Sequence, residues 1–304
     1  MGGSPATLLA RWSSANTASA IPILGRALTV SRPGVSLGRR YVQIRSLRLP
    51  ASEVNGKDGR NLYIVRSGDV GNPERVALVV EDPAARRKVD RKGKGKAAQD
   101  GDDDEVIIVE QVGGDDYAHG RWTYSSIGLP SNCSYSSGAS ALFDTFIQRA
   151  LFAPPQPGAP PGQAGGGFWQ PRGAAVSLEG FGFSVGAVGG APADWSIKLG
   201  SVNIKGGTSA GTTKGIFIEV TYLPVPYLPV GSTFVKDFLL SLFPPTAVRN
   251  GEIEIINPDE ELFFESGLLS PPYAREGEEK GEWEWEEKHS TLTYVNQFKK
   301  EGLI

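Results

Sequence analysis

Cysteine and histidine are nearly missing from this chain: 304 residues hold one cysteine, Cys133, and two histidines, His119 and His289. A single thiol excludes an internal disulfide and an all-cysteine metal site, and it fits a reducing compartment. Two distant histidines give no zinc-ligand spacing. Hydrolytic and acid–base chemistry usually draws on His, Cys or paired carboxylates among small turn residues. Here Cys133 sits in Asn132-Cys-Ser-Tyr without a basic cluster to activate it. His119 lies in the polar turn Tyr117-Ala-His-Gly-Arg, and His289 just precedes a terminal helix. Both read as exposed histidines. No catalytic, cofactor-binding or metal-binding residue is expected, and no enzymatic activity.

Other absences narrow the class further. No apolar run approaches the roughly 18 residues of a membrane span, so the chain reads as soluble. Basic and acidic residues nearly balance, 31 against 34, and the net charge of −3 draws no nucleic acid. Met1-Gly2 resembles a myristoylation start, but Ala6 stands where Ser or Thr is needed.

Glycine and proline, by contrast, are plentiful at 39 and 22 residues, while apolar residues make up only 39%. This predicts a folded core with about a third of the chain outside it. The start of the chain has two readings. Seven arginines precede the first acid, Glu53, in a Ser- and Ala-rich context, as in a mitochondrial transit peptide cleaved near Arg39-Arg40. The alternative is a folded start, with a strand near Thr7–Trp12 and a short helix or loop over Ala18–Val30. In that reading Pro22 suits only the first turn of a helix.

Alternating β-branched and aromatic residues predict strands at Arg40–Leu49, Asn61–Arg66, Arg75–Glu81, Val106–Gln111, Ala174–Val188, Trp195–Ile204 and Ile216–Leu223. Short connections make several of these hairpins, hence an antiparallel sheet, curled or closed. Helices are predicted over Ala139–Phe152, over Phe234–Phe243 behind Ser232-Thr233 and before Pro244-Pro245, and over Thr291–Lys300. Residues 85–104 form a charged insertion that cannot join a core, 153–167 a Pro/Gly linker, and 246–288 an acidic flexible spacer. The predicted organisation is therefore a core over 1–245, that spacer, and a terminal helix over 289–304.

Two glycine patterns mimic nucleotide sites. Gly180-Phe-Gly182-Phe-Ser-Val-Gly186 places its last glycine one residue late and alternates like a strand. In Gly206–Gly211 the threonines Thr212 and Thr213 displace Lys214 from the phosphate-loop position, and a hairpin loop explains the composition. The basic run Arg86–Lys96 reads equally as a nuclear localisation signal or a spacer. Glu282-Trp-Glu-Trp-Glu286 reads equally as a disordered interaction segment or a solvated stretch.

Four pieces in order resemble the Mediator subunit 20 family. The first is Asn61-Leu-Tyr-Ile-Val with Arg75-Val-Ala-Leu-Val-Val-Glu-Asp82. The second is the hairpin of Asp194-Trp-Ser-Ile-Lys-Leu-Gly-Ser-Val-Asn-Ile204 and Lys214-Gly-Ile-Phe-Ile-Glu-Val-Thr-Tyr222. Phe234-Val-Lys-Asp-Phe-Leu-Leu-Ser-Leu-Phe243 and Ser290-Thr-Leu-Thr-Tyr-Val-Asn-Gln-Phe-Lys-Lys300 complete the set. The resemblance implies an α+β fold with a curled antiparallel sheet or β-barrel-like core and flanking helices. It also implies a non-catalytic role in the nucleus, in the head of the Mediator coactivator. The partners implied are subunits 18 and 8, with indirect contact to the RNA polymerase II machinery, no sequence-specific DNA binding and no membrane. Two other classes compete: a mitochondrial matrix protein, and a lipocalin-like ligand-binding barrel. A solid core containing Phe181, Phe183, Trp195 and Phe217 argues against the latter.

Overall fold

The computed structural model describes residues 3–49, 59–69, 74–83, 121–129, 169–186, 191–206, 211–269 and 283–304. Eleven strands run through them. They are β1 (Gly3–Pro5), β2 (Thr7–Trp12), β3 (Val35–Leu49), β4 (Arg60–Asp69), β5 (Arg75–Glu81), β6 (Trp122–Gly128), β7 (Gln170–Val185), β8 (Trp195–Lys205), β9 (Thr213–Tyr222), β10 (Tyr227–Pro229) and β11 (Glu254–Ile256). Five helices accompany them: α1 (Thr17–Thr29), α2 (Phe234–Leu240), α3 (Pro245–Arg249), α4 (Glu260–Glu265) and α5 (Glu287–Lys300).

Nine strands form one antiparallel sheet in the order β11-β2-β9-β8-β7-β3-β4-β5-β6, while β1 and β10 make a separate ribbon. The fold is thus α+β, as expected. Among the described residues, however, the sheet is open, with β11 and β6 at its two edges, and it does not close into a barrel. Each face carries an apolar cluster beneath helices. On one, α5 packs through Leu292, Tyr294, Val295 and Phe298 onto Val42, Val65, Val79, Val202 and Phe217. On the other, α1 and α2 bury Leu24, Leu28, Val235 and Leu239 against Ile197, Leu199, Ile216 and Ile218. Strands buried on both sides lose the apolar/polar alternation, so β9 reads Ile-Phe-Ile-Glu-Val almost without a break.

The amino-terminal segment is built into this sheet. β2 lies between β11 and β9, with Leu9, Ala10 and Arg11 buried, and Arg39-Arg40 falls inside β3. A cut at Arg39-Arg40 would remove β2, the strand next to the edge strand β11, and α1, a helix of the core. Pro22 corrects the expectation of a first-turn proline, because it is the sixth residue of α1. The helix tolerates it there because Pro22 and Ala18 are both exposed, so the carbonyl left without a donor faces water. The buried stripe Ala20, Leu24 and Leu28 lies on the opposite side.

The flexible spacer over 246–288 is a second correction. Its described parts carry α3, β11 and α4, and Trp283 is buried against Phe263 and His289. Glu284 and Glu286 are exposed, while the rings of Trp283 and Trp285 pack into or against the core. Strand β6 was unforeseen, since its serines hide the two core-facing rings, Trp122 and Tyr124. The expected strand Val106–Gln111, the helix Ala139–Phe152, the insertion 85–104 and the linker 153–167 lie outside the described residues.

Candidate interaction surface

Two of the carboxylates buried in this fold, Glu219 and Glu81, are engaged in holding it. Glu219, on β9, accepts hydrogen bonds from Lys198 Nζ and Tyr294 Oη, both at 2.7 Å, and is fully buried between sheet and α5. Burial alone would raise its pKa. The charges of Lys198 and Arg40 and those two hydrogen bonds outweigh burial and hold it at about 2. Tyr294 is pushed up by burial and by that carboxylate. Glu81, on β5, repeats the design: Asn61, Tyr63, Arg121 and Lys299 all donate to it. Those bonds override the burial penalty and keep its pKa below the usual range.

The sequence candidates divide accordingly. His119 and Cys133 lie outside the described residues. His289 is not the exposed histidine expected but 1% exposed, its ring packed among Phe263, Trp283 and Trp285. Its Nδ1 accepts from the Glu286 amide in a capping box at the start of α5. Burial, reinforced by Lys288, lowers its pKa to about 4, so it is neutral at pH 7. Among the described residues no group of three His, Cys, Asp or Glu side chains is placed to hold a metal.

Both glycine mimics are structural. At Gly180 a Cβ would stand 1.9 Å from the Leu199 carbonyl oxygen, so that glycine serves close strand packing between β7 and β8. Gly206 and Gly211 both take positive φ at the turn joining β8 and β9. Phe183, Trp195 and Phe217 are buried, but on two opposite faces of an open sheet. No closed interior exists among the described residues for a lipocalin-like ligand.

What stands out instead is one end of the sheet. The register brings the start of β3 beside the end of β7, the start of β8, the end of β9 and the start of β2. Around this end Val30, Val35 and Leu37 are exposed at the corner from α1 into β3. Leu223, Val225, Tyr227, Val230 and Phe234 are exposed along the connection from β9 through β10 into α2. These eight are most of the large apolar residues exposed among those described, and Val30 and Val230 reach 69% and 70% exposure.

A rigid aromatic base lies beneath them. The ring of Trp195 stacks on Phe238 at 3.7 Å and on Phe234 at 5.2 Å, with Tyr222 at 4.8 Å. Arg32 ties the two corners together, its guanidinium 4.6 Å over Phe238 and hydrogen-bonded to Ser241. Apolar side chains concentrated this way make this end a candidate surface for contact with another molecule. Periodicity flagged Phe234 and Phe238 as helix positions, but only the antiparallel register brings Val35 and Val230 to the same end.

No sequence family and no curated protein matches the chain. Among solved structures it is similar to the PH1819 protein from Pyrococcus horikoshii OT3, at 12% identity over 78% of this chain and 86% of that chain. The TM-score of 0.29 is too low for that likeness to bear on fold or function.

Proposed function

We propose that this chain is a non-catalytic assembly subunit of the nuclear Mediator head, of the kind that the subunit 20 family represents, with subunits 18 and 8 as its direct partners. The observation that carries the reading is the exposed apolar end over its aromatic base. Such a surface supports binding through a desolvated aromatic and aliphatic centre. Its work is that of mass action: each partner held in place is stabilised, and a regulator bound to one subunit becomes coupled to the polymerase machinery.

The test is affinity purification of the tagged full chain from nuclear extract, with mass spectrometry of the proteins recovered, for wild type and Val225→Asp/Val230→Asp. Both valines are exposed, so folding stability should change by no more than about 0.5 kcal/mol. Subunits 18 and 8 are expected with the wild type and strongly depleted with the variant. Recovery of neither with the wild type, or of both undiminished with the variant, refutes the proposal.

A further inference from the structure

The sheet face opposite α5 is not apolar throughout. Across β3, β7 and β8 the register sets Gln43 beside Ser177 and Asn203, then Tyr41 beside Glu179 and Ser201, then Arg39 beside Phe181 and Leu199. Apolar clusters flank this polar band on both sides, one beneath α1 and α2 and the other around Leu47, Leu62 and Ile64. A groove of about 500 Å³ opens over the band, lined by Arg39, Tyr41, Gln43, Glu179, Phe181 and Lys205 among others. That volume holds a few side chains of a ligand.

Its chemistry has two parts. Tyr41 and Phe181 are half-buried and give the groove aromatic walls. Around them the charge is positive in a chain whose net charge is −3. Lys205 lies 2.6 Å from Glu179 and neutralises the acid of the floor. Arg39, and Arg45 beside Ile64 on the same face, are exposed and engage no partner among the described residues. Exposed cations without partners beside aromatic walls attract carboxylates that are attached to apolar groups.

We propose that this groove docks an acidic peptide segment carrying an aromatic or large aliphatic side chain. The apolar side chain inserts between Tyr41 and Phe181, and flanking carboxylates pair with Arg39 and Arg45, while Lys205 stays on Glu179. Single-stranded nucleic acid fits less well. Successive bases need aromatic faces standing free along a strand path, whereas these rings are sunk in the walls of a short groove beside a carboxylate. The proposal stands on the groove alone and does not depend on which assembly holds the apolar end.

Fluorescence anisotropy with the full chain tests it. The probe is a short labelled peptide of Asp and Glu with one central Phe and one Leu. The proteins are wild type and Arg39→Glu/Arg45→Glu, whose thermal melts should coincide because both arginines are exposed and unpaired. Saturable binding to wild type is expected, weakened at least about tenfold by the charge reversal and also by added salt. A peptide with Phe and Leu changed to Ala should not bind. Absence of saturable binding to wild type, or equal affinity for the variant or for the alanine peptide, overturns the proposal. So does tighter capture of a labelled oligothymidylate that the same charge reversal abolishes.

Discussion

Replacing Glu219 by Gln should cost this protein a large part of its stability, by an amount that depends on pH. The carboxylate lies between Lys198 Nζ and Tyr294 Oη, both at 2.7 Å, and the charge of Arg40 also stabilises it. Arg40 is 6% exposed, and its Nε and Nη1 make no hydrogen bond among the described residues, with the Asp69 carboxylate 3.5 Å from Nε. The amide keeps the shape and can still accept from Tyr294. It leaves the buried Arg40 and the half-buried Lys198 without the anion between them. Breaking a buried pair from one side costs about 3–5 kcal/mol. The pKa leads to a similar figure: a carboxyl moved from 4.5 to about 2 contributes roughly 3 kcal/mol at pH 7. Whole domains are stable by about 5–15 kcal/mol, so the loss should be plain in urea unfolding at an unchanged slope. Because the folded pKa is the lower one, the contribution is complete above pH 4.5 and disappears as the pH falls through about 2. The gap between wild type and Glu219→Gln should therefore shrink by about 2 kcal/mol between pH 7 and pH 3. A gap below about 1 kcal/mol at pH 7, or one as large at pH 3 as at pH 7, would refute the assignment of Glu219 as the charge that binds α5 to the sheet.

Two further outcomes follow from the same core. His289 is buried neutral with a pKa near 4 against an ordinary 6.5, so its folded state resists protonation and stability falls as the pH drops below 6.5. Wild type should lose about 1–2 kcal/mol more than His289→Gln between pH 7 and pH 5, since Gln retains the capping acceptor without titrating; parallel losses would sink the argument. Trp283→Ala should cost about 3–5 kcal/mol in thermal or urea unfolding, because the ring is core against Phe263 at 5.5 Å and His289 at 5.0 Å. A change below about 0.5 kcal/mol would return residues 283–286 to the role of a solvated spacer.

The strands over Arg75–Glu81, Trp195–Ile204 and Ile216–Leu223 were legible because β-branched and aromatic runs between turn residues report local burial. The terminal helix was legible from Leu292, Val295 and Phe298 at helical spacing. The acidic segment misled because charge density measures how many side chains reach water, not whether the residues between them reach a core; Trp283 and Trp285 did. Strand β6 was missed for the converse reason, with two rings facing in and serines in between. The exposed apolar end was hardly legible at all. Its valines and leucines come from separate stretches of sequence, and each alone looks like an ordinary loop residue.

Local chemistry in the sequence marks most of the described strands and the terminal helix, and reads the glycines of β7 as serving a strand. Only the tertiary structure decided the open edges of the sheet, the two faces of its core, the neutral state of His289 and the pairing of Glu219 with Tyr294 seventy-five positions away. Periodicity is a property of a few consecutive residues, whereas burial and charge pairing depend on which distant residues the strand order brings together.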